Sequence, residues 1–241
     1  MGELLADLML DCDLPGAQIE LILPLKAGQW RILDGLGPDH LPIDAFDRSV
    51  LAGLDWPLDP DDHYLSATAC GTSTLIVGVG RSMLQAWIDV VEDADLPLKR
   101  VEWSLSAALR GMQRFLPDVS GDLAWVLQDR HRSVCRLILL REGVPEVDCS
   151  LPADAETLHS IKSVVQAWRM LAGVPEPLSW LISVGDAEDP VVAALNNDPE
   201  HEPLLQPRMT WTPTVWPSDP DPLPLLPLEH FALAGVEALV S

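Results

Sequence analysis

The segment Thr74–Arg110, TLIVGVGRSMLQAWIDVVEDADLPLKRVEWSLSAALR, decides the fold of this chain. Its run Leu75–Val79 is apolar or glycine, which is typical of a buried β-strand. Apolar residues then recur at helical spacing along Met83–Val91 and predict an amphipathic helix. The run Leu98–Trp103 predicts a second strand, and Ser104 is placed to cap a second helix. A strand, helix, strand and helix in this order indicate an α/β protein.

The residues before this segment predict two helices and three strands. The helices are expected at Glu3–Leu10 and around Phe46–Leu54, and two of the strands at Gln18–Leu25 and Trp30–Leu33. A third strand, His63–Ala69, is expected to pair with Thr74–Val79 as a hairpin. The stretch between the second and third strands is rich in Asp, Pro and Gly, which suits a small inserted subdomain.

The second half of the chain predicts a three-stranded meander followed by a helix. The strands are expected at Leu123–Leu127, Val134–Leu140 and Val144–Cys149, with Arg141-Glu142-Gly143 as the turn of the second hairpin. A long amphipathic helix follows, and Gly173 is expected to end it. This sequence of elements is sufficient to build a second compact lobe.

The end of the chain alternates between short predicted elements and proline. A short buried strand is expected at Trp180–Val184, followed by a helix that begins at Pro190. The stretch Pro203–Pro227 is studded with prolines. The final segment, Leu228–Val240, is apolar around most of its circumference, which predicts a buried helix.

The order of these motifs resembles the actin-like domain of the type IV pilus assembly protein PilM and of the GspL cytoplasmic domain. Ala94-Asp95-Leu96 stands at the family's AGL-type turn, and a strand that ends near Glu102 precedes a helix, as in the family. Arg141-Glu142-Gly143 stands at its RDG-like turn, and Pro227–Leu239 resembles its last helix. The resemblance implies an α/β, actin-like (ribonuclease H-like), two-lobed fold with a small inserted subdomain.

The resemblance also implies how the lobes divide the chain. The first lobe is expected at 1–116, with the inserted subdomain at about 30–103. The second lobe is expected at 117–241, and its last helix, 228–240, packs back onto the core. The family's first phosphate hairpin precedes its first helix, and this chain starts near that helix. The first lobe is therefore expected to be truncated at its N-terminus.

The loops that hold nucleotide in actin-like ATPases depart from the usual pattern. Where the family has a DIGAS-like phosphate hairpin, Leu127–Ser133 has no glycine and several bulky side chains, which would obstruct the approach of a phosphate to the backbone. Where the family has a GGG-like turn, Ser183–Ala187 has one glycine. We therefore expect no bound nucleotide, no catalytic residues and no cofactor.

Charge and cysteine usage exclude several classes of function. The net charge is -22, from 37 acidic and 15 basic residues, which argues against binding to nucleic acid and to anionic membranes. The cysteines are scattered without a CxxC pair, no signal peptide precedes them, and no run of about 20 apolar residues is present. The chain is expected to be a reduced, cytoplasmic protein that reaches the inner membrane through a partner and does not insert into it.

Acidic clusters and histidines show no metal-binding spacing, so no metal site is expected. The nine tryptophans divide into two groups. Four on apolar stripes are expected in the core: Trp87, Trp103, Trp168 and Trp180. By contrast, Trp211 and Trp216 lie among prolines, where rigid aromatic residues can form a partner-binding surface.

These observations favour a non-catalytic cytoplasmic scaffold of a type IV pilus, competence or type II secretion assembly complex. By resemblance, its partner is the cytoplasmic segment of a single-span, PilN-like inner-membrane protein, with a motor ATPase as a second partner. A strongly acidic surface suits a basic segment. One alternative is an active actin-fold ATPase or kinase with divergent loops, and another is an unrelated soluble α/β binding domain.

Overall fold

The chain divides into two compact units, Met1–Ser106 and Ala107–Ser241. The structure is a computed structural model. The residues that it describes are 1–33, 56, 58–59, 61–70, 73–115, 121–128, 134–152, 154, 156–173, 178–183 and 228–237. The predicted helices near Phe46–Leu54 and at Pro190, and the proline-studded stretch, lie outside these residues.

The first unit contains two helices, five strands and a short 3-10 turn. In chain order they are α1 (Gly2–Asp11), β1 (Ile19–Leu23), the 3-10 turn (Leu25–Ala27), β2 (Gly28–Leu33), β3 (His63–Cys70), β4 (Ser73–Gly80), α2 (Arg81–Asp93) and β5 (Leu98–Trp103). A further helix, α3 (Ser104–Phe115), begins at the end of this unit. The strand–helix–strand–helix order predicted for Thr74–Arg110 is confirmed.

A two-stranded parallel sheet joins the ends of the first unit, because β1 pairs with β5. Helices α1 and α2 pack against each other beside it. At Gly2 an added methyl group would overlap Cβ of Asp93 and lie 3.0 Å from the carbonyl oxygen of Val90. A larger residue at Gly2 would therefore push the two helices apart.

Between β1 and β5 the chain inserts a separate three-stranded antiparallel sheet in the order β2-β4-β3. The predicted hairpin is present, with Ala69 opposite Thr74 and His63 opposite Gly80. Ile76 of β4 is buried on one face of this sheet. It forms a small core with Trp56 and Leu58, which precede β3. A small inserted subdomain is therefore present, and the bounds expected for it, about 30–103, stay a prediction.

Trp103, at the end of β5, is 3% exposed and connects several parts of the first unit. Its indole Nε1 donates a hydrogen bond to the carbonyl oxygen of Leu25 at 3.0 Å. Its ring meets that of Trp30 edge to face, with 5.5 Å between the ring centroids. A methyl group on Gly28 would lie 2.6 Å from the Trp103 ring, so only glycine fits beneath it.

The second unit is built on a four-stranded sheet in the order β8-β7-β6-β9. Its elements are β6 (Leu123–Gln128), β7 (Val134–Arg141), β8 (Val144–Pro152), α4 (Thr157–Ala172), β9 (Ser179–Ser183) and α5 (Leu228–Glu237). The first three strands form the predicted antiparallel meander. Strand β9 pairs in parallel with β6.

Backbone angles confirm two predictions for the second unit, the turn after β7 and the end of α4. Glu142 and Gly143 have φ of 50° and 82°, which is the left-handed pair that a two-residue hairpin turn requires. Arg141 and Val144 pair directly across this turn. Gly173 has φ of 66° and ends α4.

Both faces of the second sheet are buried at its inner strands, whereas alternate residues of the edge strand β8, among them Glu146, Asp148 and Ser150, are exposed. One face packs on α4 through Ile161, Val165 and Trp168, which recur along one side of that helix. On the other face, Trp125 is fully buried and meets Phe231 of α5 edge to face, with centroids 5.8 Å apart. Burial on both faces explains why β6 and β9 are almost continuously apolar, while β8 alternates between apolar and polar residues.

Two sequence predictions need correction. Ser104 does not cap α3, because the helix begins at that residue and its buried Oγ has no hydrogen-bond partner among the described residues. The predicted core position of Trp87 is only partly correct, since Trp87 is half-buried. The core positions of Trp168 and Trp180 are confirmed, because each is 5% exposed.

Candidate partner-binding surface

The two loops that resemble eroded nucleotide loops start from neighbouring strand ends. Leu127, near the end of β6, pairs with Ser183, at the end of β9. Residues 129–133 and 184–187 of these loops lie outside the described residues. The structure therefore brings the two loop origins together, and the absence of bound nucleotide stays a prediction.

Ser183 has a structural role at this edge of the sheet. Its Oγ accepts a hydrogen bond of 2.9 Å from the indole Nε1 of Trp125, and the pair is buried. Ser183 is 3% exposed. The indole N–H of Trp125 and the hydroxyl of Ser183 therefore satisfy each other inside the packed sheet.

Helices α3 and α5 cross in close contact on the apolar face beside Trp125. Gly111 and Gly235 lie at the crossing, and the flanking residues Ala107, Ala108 and Ala232 are fully buried. Arg110 Nε donates a hydrogen bond of 3.0 Å to the carbonyl oxygen of Gly235. The predicted last helix is thus buried, and small residues allow its close approach.

The first unit presents a different kind of surface on the outer side of α1. Met1, Leu4 and Leu8 recur at i, i+3 and i+7 and are 78%, 72% and 55% exposed. We call these three residues the α1 stripe. Single exposed leucines are common, but neighbouring exposed apolar residues along one helix are a candidate interaction surface.

A row of acidic residues runs along the α1 stripe. Glu3, Asp7 and Asp11 recur at i, i+4 and i+8 and are all exposed. The first basic residue of the chain is Lys26, so no basic side chain precedes the end of β1. An apolar stripe beside an acidic row favours a partner segment that carries apolar and basic side chains.

The remaining predicted sites receive no support from the described residues. Trp211 and Trp216 lie outside them, so their role in partner binding stays a prediction. Where the structure describes the chain, no group of three or more His, Cys, Asp or Glu could hold a metal ion. None of the helices described is long and apolar enough to cross a membrane.

Sequence reasoning missed the α1 stripe. Its signal was present in the leucine-rich helix near the N-terminus, but periodicity alone cannot tell an apolar face that is packed from one that is exposed. Helix α1 has apolar residues on two sides. One side packs on α2 through Gly2, and the other carries the α1 stripe.

No known protein-family profile matches the chain. No curated protein sequence matches it either. Among solved structures, the chain is similar to a PilM–PilN type IV pilus biogenesis complex, with a TM-score of 0.53 and 12% identity over 80% of this chain and 70% of that chain.

Two further solved structures are similar at lower TM-scores. One is a Bacteroides thetaiotaomicron protein with an actin-like ATPase fold, at a TM-score of 0.47 and 8% identity over 80% of this chain and 71% of that chain. The other is the cytoplasmic domain of EpsL, an inner-membrane component of the type II secretion system of Vibrio cholerae. Its TM-score is 0.47, and the identity is 17% over 100% of this chain and 81% of that chain. The likeness to the PilM–PilN structure shows the fold, and the chain therefore has the predicted α/β actin-like fold.

Proposed function

We propose that this chain is a non-catalytic scaffold of a type IV pilus, competence or type II secretion assembly complex. In this role it lies at the cytoplasmic face of the inner membrane and binds the cytoplasmic segment of a single-span membrane protein. A motor ATPase is its second proposed partner. The observation that carries the proposal is the shared fold with PilM in a PilM–PilN complex.

The surface of the first unit supports this role. The α1 stripe supplies exposed apolar area, and the row Glu3, Asp7 and Asp11 supplies negative charge beside it. Cytoplasmic segments next to a membrane span are commonly rich in Lys and Arg. Opposite charges would increase the rate of association and select basic partners.

The absence of catalysis is part of the proposal. It is supported by the lack of glycine in Leu127–Ser133 and by the single glycine in Ser183–Ala187. Phosphate sites require backbone N–H groups that the phosphate can approach closely, and glycine usually provides this access. The packed apolar layer around Trp125 and Phe231 supports a structural role for the second unit.

The test is an affinity purification of the tagged protein from detergent-solubilised native membranes, with partners identified by mass spectrometry at moderate salt. We expect recovery of a single-span inner-membrane protein with a basic cytoplasmic tail, together with a pilus or secretion ATPase. Recovery of soluble metabolic enzymes alone would contradict the proposal.

Two variants of the tagged protein locate the contact. Leu4→Ser combined with Leu8→Ser removes the centre of the α1 stripe without changing any buried residue. Trp211→Ala combined with Trp216→Ala tests the second predicted surface. Loss of the membrane partner from one double variant and not from the other identifies the surface that binds it.

A further inference from the structure

We draw no further inference here: the strongest candidate, the N-terminus of α3, where the hydroxyl oxygens of Ser104 and Ser106 are buried without a hydrogen-bond partner among the described residues, carries none, because both oxygens are closed off from solvent and nothing in that part of the chain points to a ligand that would contact them.

Discussion

Gly111 of α3 and Gly235 of α5 are in direct backbone contact. A methyl group added at Gly111 would overlap the carbonyl oxygen of Phe231 and lie 2.7 Å from the amide nitrogen of Gly235. A methyl group added at Gly235 would overlap the carbonyl oxygen of Ala107. This crossing holds the last described helix against the second unit, and glycine at both positions makes it possible.

Replacement of either glycine should destabilise the protein. We expect Gly111→Ala and Gly235→Ala each to lower the free energy of unfolding by about 1–3 kcal/mol or more, because the helices must separate to accept the methyl group. Urea unfolding measures the change. Gly80→Ala is the control, since nothing lies within 4 Å of its added methyl group; an equal loss in this variant would contradict the explanation.

Asp95 adopts a left-handed conformation, with φ of 53°, directly after α2. Its N–H donates to the carbonyl oxygen of Glu92 at 2.9 Å, and Leu96 N–H donates to that of Val91 at 3.3 Å. The AGL-type turn has glycine at this position. We expect Asp95→Gly to be more stable than Asp95→Ala by about 1 kcal/mol, because glycine has no Cβ that opposes this conformation. Thermal unfolding measures the melting temperatures of the two variants. A melting temperature of Asp95→Ala equal to or above that of Asp95→Gly would contradict this explanation.

Burial, and then the neighbouring Asp148 carboxylate, raises the pKa of the Cys149 thiol. The folded chain therefore keeps a proton that the unfolded chain releases near pH ~8.5. The free energy of unfolding should fall as the pH rises above this value, because the unfolded state then binds fewer protons. Urea midpoints at pH 7 and at about pH 9.5 should differ more in the wild-type protein than in Cys149→Ser.

Thiol reactivity should follow the same environments. Cys12 is exposed, Cys149 is half-buried and Cys135 is buried. We expect iodoacetamide at pH 8 to modify Cys12 first, Cys149 more slowly and Cys135 only after unfolding, because the thiolate is the reactive form. Peptide mass spectrometry over time assigns each rate. Reaction of Cys149 as fast as Cys12 would show that its thiol is not protected.

Addition of Mg-ATP should leave the melting temperature unchanged. A ligand at one hundred times its Kd stabilises the folded state by about 2.7 kcal/mol. For a chain of 241 residues, this corresponds to a rise of roughly 5–10 °C. Differential scanning fluorimetry with ATP, ADP and magnesium alone measures the shift. A rise that requires both nucleotide and magnesium would favour the active ATPase or kinase alternative.

Much of the fold could be predicted from local sequence signals. The two-residue turn at Glu142-Gly143, the end of α4 at Gly173 and the strand–helix–strand–helix order of Thr74–Arg110 all depend on neighbouring residues. The cap at Ser104 was predicted wrongly, because Ser104 is buried at the junction of β5 and α3 and its hydroxyl finds no described partner. At this position, burial in the folded chain outweighed the local preference of serine for a helix N-cap.

The candidate surface could not be predicted in the same way. Leucines along α1 satisfy helical periodicity whether they are packed or exposed, and only the contact with α2 shows which side is covered. The pairing of β1 with β5 joins residues far apart in the chain, with a complete inserted sheet between them. Exposure of the α1 stripe and the pairing of β1 with β5 therefore follow from contacts that no local pattern contains.

The sequence by itself determined the order of elements, their turns, the acidic charge and the resemblance to an actin-like domain, because propensity, periodicity and turn chemistry act over a few neighbouring residues. Tertiary structure alone decided that Arg110 and Gly235, 125 positions apart, would share a hydrogen bond, and that Leu4 and Leu8 would face solvent. Burial depends on which distant surfaces meet, and the free energy of that meeting is a property of the folded chain as a whole.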